Sequence, residues 1–167
     1  KVGHPSSTES LMAENSHTVV LLNESGLLCG LQKFSIDNAR RKASIPKLQV
    51  YNNALKMVYN SLSFEQSLLD RKHWGRIFES GIGAYLVSQA FTHRFEVYYW
   101  RERNDEVDFI LRKNNSLIAI EVKSNAEKNT SGLDKFRQNF NPDKAFIVGE
   151  GGITPEEFLS MNIKKLF

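Results

Sequence analysis

The chain has 167 residues, of which 41% are hydrophobic and 25% charged, a composition that excludes wholesale disorder and allows one domain with a small companion. A single cysteine, Cys29, excludes an internal disulfide and any multi-cysteine zinc site. No stretch approaches the ~20 apolar residues that cross a bilayer, and no signal peptide is evident, so we expect a cytoplasmic protein without a membrane partner.

The net charge of +3 comes from the N-terminal part of the chain. Residues 1–60 hold 7 Lys or Arg against 4 Asp or Glu, whereas residues 61–167 hold 15 of each kind. The densest basic group consists of Arg40, Arg41, Lys42 and Lys47. These four residues are candidates for contacting nucleic-acid phosphates, although a solvated basic surface would leave the same pattern.

The first 60 residues predict a small β-hairpin unit. Two apolar runs lie on either side of residues 23–26, which have a turn composition, and residues 47–51 predict a further strand. Together with the basic loop, this order suggests the C-terminal part of a winged helix-turn-helix. Any β-hairpin adaptor would have the same sequence features.

Residues 61–167 predict a second unit with the element order α-β-β-β-α-β. A linker or short helix at 60–71 precedes an amphipathic helix that starts at His73 and ends near Phe91. We therefore expect an α/β fold with a mixed sheet. The remaining predicted elements are strands at 95–100, 106–112 and 117–123, a helix at 133–140 and a strand at 145–148.

The strand at 106–112 contains an acidic residue in apolar surroundings. Alternation places Val107, Phe109 and Leu111 on one face and Asp108 on the other, with Ile110. A carboxylate in a buried strand is costly unless it is paired or binds a metal. Asp108 is therefore a candidate functional residue.

The strand at 117–123 carries charges of both signs near its end. Glu121 and Lys123 share a face with Ala119, while the isoleucine and valine side chains between them fill the other face. A carboxylate and an ammonium group are thus expected side by side, close to Asp108. Ser124 follows directly and could hydrogen-bond to this site or simply satisfy the strand end.

These charged residues predict a divalent-metal site. Mg²⁺ or Mn²⁺ prefers oxygen ligands, and one or two carboxylates with a substrate phosphate suffice to hold it. Asp108 and Glu121 are the predicted metal ligands, and Lys123 would orient a water or stabilise the pentavalent phosphate. Glu79, at the edge of the apolar stripe of the preceding helix, completes the predicted catalytic set.

The spacing of these residues resembles a known motif. Asp108, followed after a short hairpin by Glu121, Val122 and Lys123, and preceded by a helix that carries Glu79, resembles the PD-(D/E)xK superfamily of restriction-endonuclease-like domains. More narrowly, most of residues 17–150 resembles the uncharacterised C-terminal domain of prokaryotic AAA+ ATPases. The segments that carry this resemblance are 22–28, 46–48, 75–79, 97–101, 106–109 and 120–124.

The resemblance implies a restriction-endonuclease-like core at 61–167, metal-dependent hydrolysis of DNA phosphodiesters and an ATPase module N-terminal to this chain. The proline of the motif is replaced by Val107, and no Gly-x-x-x-x-Gly-Lys-Ser/Thr loop occurs in the sequence. The alternative is a catalytically inactive module of the same ATPase that binds nucleic acid or protein. The balanced charge of residues 61–167, which gives little attraction for a polyanion, favours that alternative.

Two further groups of residues have a structural and a functional interpretation. Tyr98, Tyr99 and Trp100 could stack on bases, but their position in a strand favours the sheet core. Gln138 lies on the helix after Lys123, where some related nucleases carry a helper side chain.

Overall fold

The computed structural model describes residues 21, 23–37, 39, 41, 43–58, 60–125 and 131–167. Over these residues, six strands form one mixed sheet in the order β2-β1-β3-β4-β5-β6. The strands are β1 (Leu28–Lys33), β2 (Lys47–Val50), β3 (Glu96–Glu102), β4 (Asp105–Lys113), β5 (Ser116–Lys123) and β6 (Lys144–Gly149).

Five α-helices and a final 3₁₀ turn lie wholly within the described residues. None of these helices combines the length and the apolar character needed to span a membrane. The helices are α1 (Ala54–Val58), α2 (Phe64–Leu69), α3 (Arg71–His93), α4 (Ser131–Phe140) and α5 (Pro155–Ser160), and the 3₁₀ turn is Ile163–Leu166.

The predicted α/β class and the order α-β-β-β-α-β are confirmed by α3, β3, β4, β5, α4 and β6. Strands β3, β4 and β5 pair antiparallel, and β6 joins β5 in parallel. A parallel pair cannot be closed by a tight turn, which is why the crossover helix α4 lies between β5 and β6.

The N-terminal hairpin differs from the predicted one. The turn at 23–26 is present, since the N–H of Gly26 donates to the carbonyl of Asn23 at 3.0 Å. Leu21, Asn23 and Glu24, however, are helical, so no strand precedes the turn at these positions, and residues 17–20 and 22 lie outside the described residues. β1 instead pairs antiparallel with β2.

Strand β1 also joins the sheet of the second predicted unit. Gln32 and Lys33 pair in parallel with Tyr98 and Tyr99 of β3. Strands from both sides of residue 60 therefore belong to one sheet. The division into a winged-helix-like unit at 1–60 and a nuclease-like unit at 61–167 stays a prediction.

Both faces of the central strands are buried, which explains their nearly continuous apolar sequences. One apolar layer lies between the sheet and α3, and a second lies between the sheet and α4. The first layer includes Ile82, Leu86, Phe109, Leu111, Ile118, Ile120, Val122 and Phe158. The second includes Phe34, Tyr98, Trp100, Val107, Ile110, Ala119, Leu133 and Phe136.

The long helix α3 has clear start and stop signals. The Asp70 side chain accepts hydrogen bonds from the N–H groups of Lys72 and His73, which satisfies two donors at the helix start. Arg94, in the left-handed conformation, ends the helix. α3 is therefore fixed at both ends beneath the sheet.

A glycine in α3 allows the helix to approach β2 closely. A Cβ at Gly83 would lie 2.2 Å from Oε1 of Gln49 and 2.8 Å from the Phe109 ring. The Gln49 side chain is buried, and its Nε2 donates to the carbonyl of Ser80 at 2.9 Å. This contact fixes β2, which carries Lys47, against the helix that carries Glu79.

We predict that Gly83→Ala lowers the free energy of unfolding by about 1–3 kcal/mol, because the added methyl group overpacks this contact. Gly81→Ala is the matched control, since a Cβ there meets Asn53 at 3.4 Å, an ordinary contact. In a helix interior the control should be neutral or stabilising by up to about 1 kcal/mol. Urea denaturation measures the free energy of unfolding of both variants. Equal values for Gly83→Ala and Gly81→Ala would contradict the role assigned to Gly83.

Candidate functional site

A β-bulge in β4 sets the position of Asp108. Tyr98 pairs with Ile110 and Trp100 pairs with Val107, so β4 has one residue more than β3 between these pairs. Because of this extra residue, Val107 lies in the apolar layer of α4 with Ile110, while Phe109 lies in the layer of α3. The prediction that Val107, Phe109 and Leu111 share one face is therefore wrong for Val107.

The carboxylate of Asp108 lies where β4 and β5 stop pairing. The ladder ends at Phe109 and Ile120. Beyond it, Oδ2 of Asp108 accepts a hydrogen bond of 2.8 Å from the backbone N–H of Val122. That amide joins Val122 to Glu121, so Asp108 lies directly against the Glu-x-Lys segment, and its side chain is 4% exposed.

Glu121 and Lys123 lie at the C-terminal end of β5 and are buried, at 8% and 5% exposure. Val122 belongs to the apolar layer of α3, as predicted from alternation along β5. Glu121 pairs in register with Ile147, a residue of the layer next to α4. Glu121 and Lys123 therefore project from the α4 side of β5.

Glu79 lies on α3 and is linked to Asp108 through Lys47. Nζ of Lys47 lies 2.6 Å from Oε1 of Glu79 and 3.7 Å from Oδ1 of Asp108. The same ammonium group lies 5.5 Å from the centre of the Phe109 ring. Two of the four predicted catalytic residues thus share one lysine as a counter-ion.

The environment of Lys47 keeps it protonated. Burial has the largest effect on its pKa and lowers it, but the attraction of Glu79 and Asp108, the hydrogen bond to Glu79 and the charge of Glu106 together raise the pKa above its ordinary value. Lys47 is therefore a permanent positive charge beside the two carboxylates at neutral pH.

Lys47 was predicted to contact phosphates, and its role next to Glu79 and Asp108 was not foreseen. The signal was present in β2, where the polar residues Lys47 and Gln49 alternate with Leu48. Gln49 is 5% exposed and Leu48 is 57% exposed, so the polar face of this strand points inward. Inward polar residues on a short strand need polar partners, and Glu79, whose side chain is 22% exposed, is the partner of Lys47.

Asp108 and Glu121 fit a magnesium or manganese ion by their chemistry, since both are buried carboxylates and adjoin the same peptide group. In the ranges that the structure describes, no three His, Cys, Asp or Glu side chains are grouped so that they could hold a metal ion. Magnesium retains several waters, so two carboxylates are enough for such a site.

Two clefts meet at Glu79. The larger, with a volume of about 760 Å³, is a groove whose cationic side chains are Lys33, Lys47, Arg101 and Arg103. The smaller, of about 320 Å³, is lined by Arg71, Lys72 and Arg76 and by Ser124. We call these the large and the small basic cleft, and none of their arginines was singled out from the sequence.

The predicted basic loop lies only partly within the described residues. Arg40 and Lys42 are outside them. Arg41 is close enough to Glu96 to contribute to the lowered pKa of that carboxyl, whose main cause is the hydrogen bond from Arg112. Arg41 therefore lies near Glu96, whose partner Arg112 is four residues along β4 from Asp108.

The aromatic strand β3 is largely core. Tyr98 and Trp100 are buried at 6% and 3% exposure, which confirms the sheet-core interpretation for both. Tyr99 is half-buried, lines the large basic cleft and donates its hydroxyl to the carbonyl of Ile45 at 2.7 Å. Its hydrogen bond anchors the segment that leads into Lys47.

Residues 74–159 match a family model described as a domain of unknown function, DUF4143. The chain belongs to this family. The match starts within α3 and ends in α5, so the DUF4143 region contains Glu79, Asp108, Glu121 and Lys123 and leaves β1 and β2 outside. Neither the curated proteins nor the solved structures include a match to this sequence.

We predict that Asp108→Ala lowers the free energy of unfolding by about 1–3 kcal/mol, because the buried N–H of Val122 loses its acceptor. Asp108→Asn should lose less, since its amide oxygen can still accept this hydrogen bond. Asp134→Ala, which removes an exposed carboxylate paired with Arg137, is the control and should change stability by less than about 0.5 kcal/mol. Equal urea midpoints for Asp108→Ala and Asp134→Ala would contradict the role of Asp108.

Proposed function

We propose that this DUF4143 chain is a PD-(D/E)xK nuclease-like domain that hydrolyses DNA phosphodiesters at Asp108, Glu121 and Lys123. We further propose that it is the C-terminal effector part of a AAA+ ATPase. The association of DUF4143 with AAA-ATPase-type proteins supports the second statement. The nuclease assignment is drawn from the site itself.

One observation carries the nuclease proposal, namely the hydrogen bond from the N–H of Val122 to the carboxylate of Asp108. It joins the acid of one central strand to the Glu-x-Lys segment of the next, inside an α-β-β-β-α-β core. Asp108, Glu121 and Lys123, each at 8% exposure or less, all lie at the end of the sheet where β4 and β5 stop pairing. Burying a charged side chain costs free energy, so buried charges that do not stabilise the fold favour a functional site.

Asp108 and Glu121 would hold the divalent ion. When bound, that ion would acidify a water and offset the negative charge that builds on the phosphate. Lys123, two residues beyond Glu121 on the same side of β5, would stabilise that charge or orient the attacking water. Glu79 would act indirectly, because its carboxylate is engaged by Lys47.

The two basic clefts would supply an electrostatic attraction for DNA, because they concentrate cationic side chains locally although the charge of residues 61–167 is balanced overall. Glu79 lines both clefts, which together contribute seven cationic side chains. Glu79 and Glu106 oppose this charge in the large cleft, and Arg101 is 3.7 Å from Glu106. Lys33 and Arg103 are therefore the best candidates for phosphate contacts there.

The second candidate function is a catalytically inactive module that binds nucleic acid or protein. The observation that favours it is Lys47, which places a fixed positive charge beside Glu79 and Asp108. In such a module, the lysine would permanently serve as the cation of the site. Metal binding distinguishes the two functions, since the inactive module needs none.

We predict that the purified chain cuts DNA with Mg²⁺ or Mn²⁺, and that Asp108→Asn, Glu121→Gln and Lys123→Met each slow cutting by roughly 10²-fold or more. The first two changes should also weaken Mn²⁺ binding, whereas Lys123→Met should spare binding and reduce the rate. Gel assays of plasmid and oligonucleotide cleavage, with Mn²⁺ calorimetry, measure both effects.

Glu24→Gln is the control for these variants, because it changes an exposed acid of the turn at 23–26 that lines neither basic cleft. It should cut at the wild-type rate. Undiminished cutting by the double variant Asp108→Asn, Glu121→Gln would place the chemistry elsewhere in the chain. Absence of Mn²⁺ binding by the wild-type chain would favour the inactive module.

We predict that Lys33→Ala with Arg103→Ala weakens duplex DNA binding at least tenfold at low salt. The slope of log affinity against log salt should become shallower by about two, because each phosphate contact contributes about 0.9. Lys164→Ala with Lys165→Ala, which removes two exposed lysines of the 3₁₀ turn, is the control for lost charge alone. Fluorescence anisotropy at several salt concentrations provides the measurement. Equal slopes for the Lys33→Ala, Arg103→Ala variant and the wild-type chain would refute the large cleft as the DNA-binding surface.

A further inference from the structure

The contacts of Lys47 are unequal. Its Nζ lies 2.6 Å from Oε1 of Glu79, a short charge-assisted hydrogen bond, but 3.7 Å from Oδ1 of Asp108, which is an ion pair without a hydrogen bond. Glu79 therefore anchors the lysine. Asp108 attracts it from a distance.

The position of Lys47 conflicts with a divalent ion on Asp108. One oxygen of Asp108 accepts the N–H of Val122, and the other faces the Lys47 ammonium. The Asp108 side chain is 4% exposed, so repulsion between an arriving cation and the ammonium is weakly screened by water. Lys47 and the ion would therefore compete for Asp108.

We propose that Lys47 is a positioning residue that limits the metal affinity of Asp108, and that Glu79 holds Lys47 rather than the metal. This inference rests on the proposed metal site at Asp108 and Glu121. Metal binding then requires Lys47 to withdraw from Asp108 while it remains paired with Glu79. The lysine lies on β2, so the N-terminal hairpin controls a site built from β4 and β5.

The proposal predicts opposite effects for the two partners of this ion pair. Lys47→Met keeps a long apolar side chain near the Phe109 ring but removes the competing charge, so Mn²⁺ should bind at least about tenfold more tightly. Lys47→Arg keeps the charge and should not show this gain. Glu79→Gln frees Lys47 to approach Asp108, so Mn²⁺ should bind more weakly than to the wild-type chain.

The double variant Lys47→Met, Glu79→Gln separates this role from direct ligation. If Glu79 acts only through Lys47, the double variant should bind Mn²⁺ as tightly as Lys47→Met. If Glu79 were a metal ligand, its loss would weaken binding in both backgrounds. Lys56→Met is the matched control, because Lys56 also lies close enough to Glu79 for their charges to interact but makes no ion pair with Asp108 among those described.

Calorimetric titration of the 167-residue chain with Mn²⁺ alone tests the proposal, and urea midpoints verify that each variant is folded. Tighter binding by Lys47→Met and unchanged binding by Lys56→Met support it. Wild-type binding that Asp108→Asn abolishes, with no gain in Lys47→Met, would overturn the role of Lys47 and leave the metal site standing. No Mn²⁺ binding by either the wild-type chain or Lys47→Met would overturn the metal site and this inference together.

Discussion

The site depends on the hydrogen bond between the Asp108 carboxylate and the N–H of Val122. The two central strands are apolar on both faces and would otherwise continue to pair through their backbones. Their pairing ends at Phe109 and Ile120, next to the bulge in β4, and the carboxylate takes the place of a backbone acceptor for the buried donor. An acid is thereby held inside the sheet, against the peptide group that joins Glu121 to Val122, by the same contact that satisfies the backbone.

The electrostatic balance of this sheet end involves residues that are far apart in the sequence. The desolvation free energy of a buried carboxylate is offset only when cations and hydrogen-bond donors lie close to it. Lys47 of β2 is such a cation for Glu79 and Asp108. Gln49, two residues further on, fixes β2 against α3 through Ser80. The hairpin outside the DUF4143 match thus takes part in the charge balance of residues within it.

The core elements were predictable because periodicity and turn residues agreed with the tertiary fold. The helix predicted from His73 and the strands before and after Asn114 appear with boundaries extended by one or two residues. Alternation along β5 was also correct, since this strand pairs regularly with β6. A buried acid next to a Glu-x-Lys strand was sufficient to single out Asp108.

The errors in the predicted strand faces, ion pairs and helices have two causes. Some features depend on contacts with distant parts of the chain, and one local sequence signal was not recognised. The bulge opposite Trp100 depends on pairing with β3, which alternation within β4 alone does not reveal. The partner of Lys47 depends on a contact between residues 32 apart in the sequence. Helix α5 was missed although Thr154, Pro155 and Glu157 form a capping box with proline at its start.

The most direct test of the central claim is a crystal structure of the chain soaked with Mn²⁺, with the ion located by its anomalous scattering. Our account predicts one ion bound between the carboxylates of Asp108 and Glu121, with Asp108 still accepting the N–H of Val122. An ion bound elsewhere in the chain, or a site at Asp108 that remains empty at millimolar Mn²⁺, would contradict it.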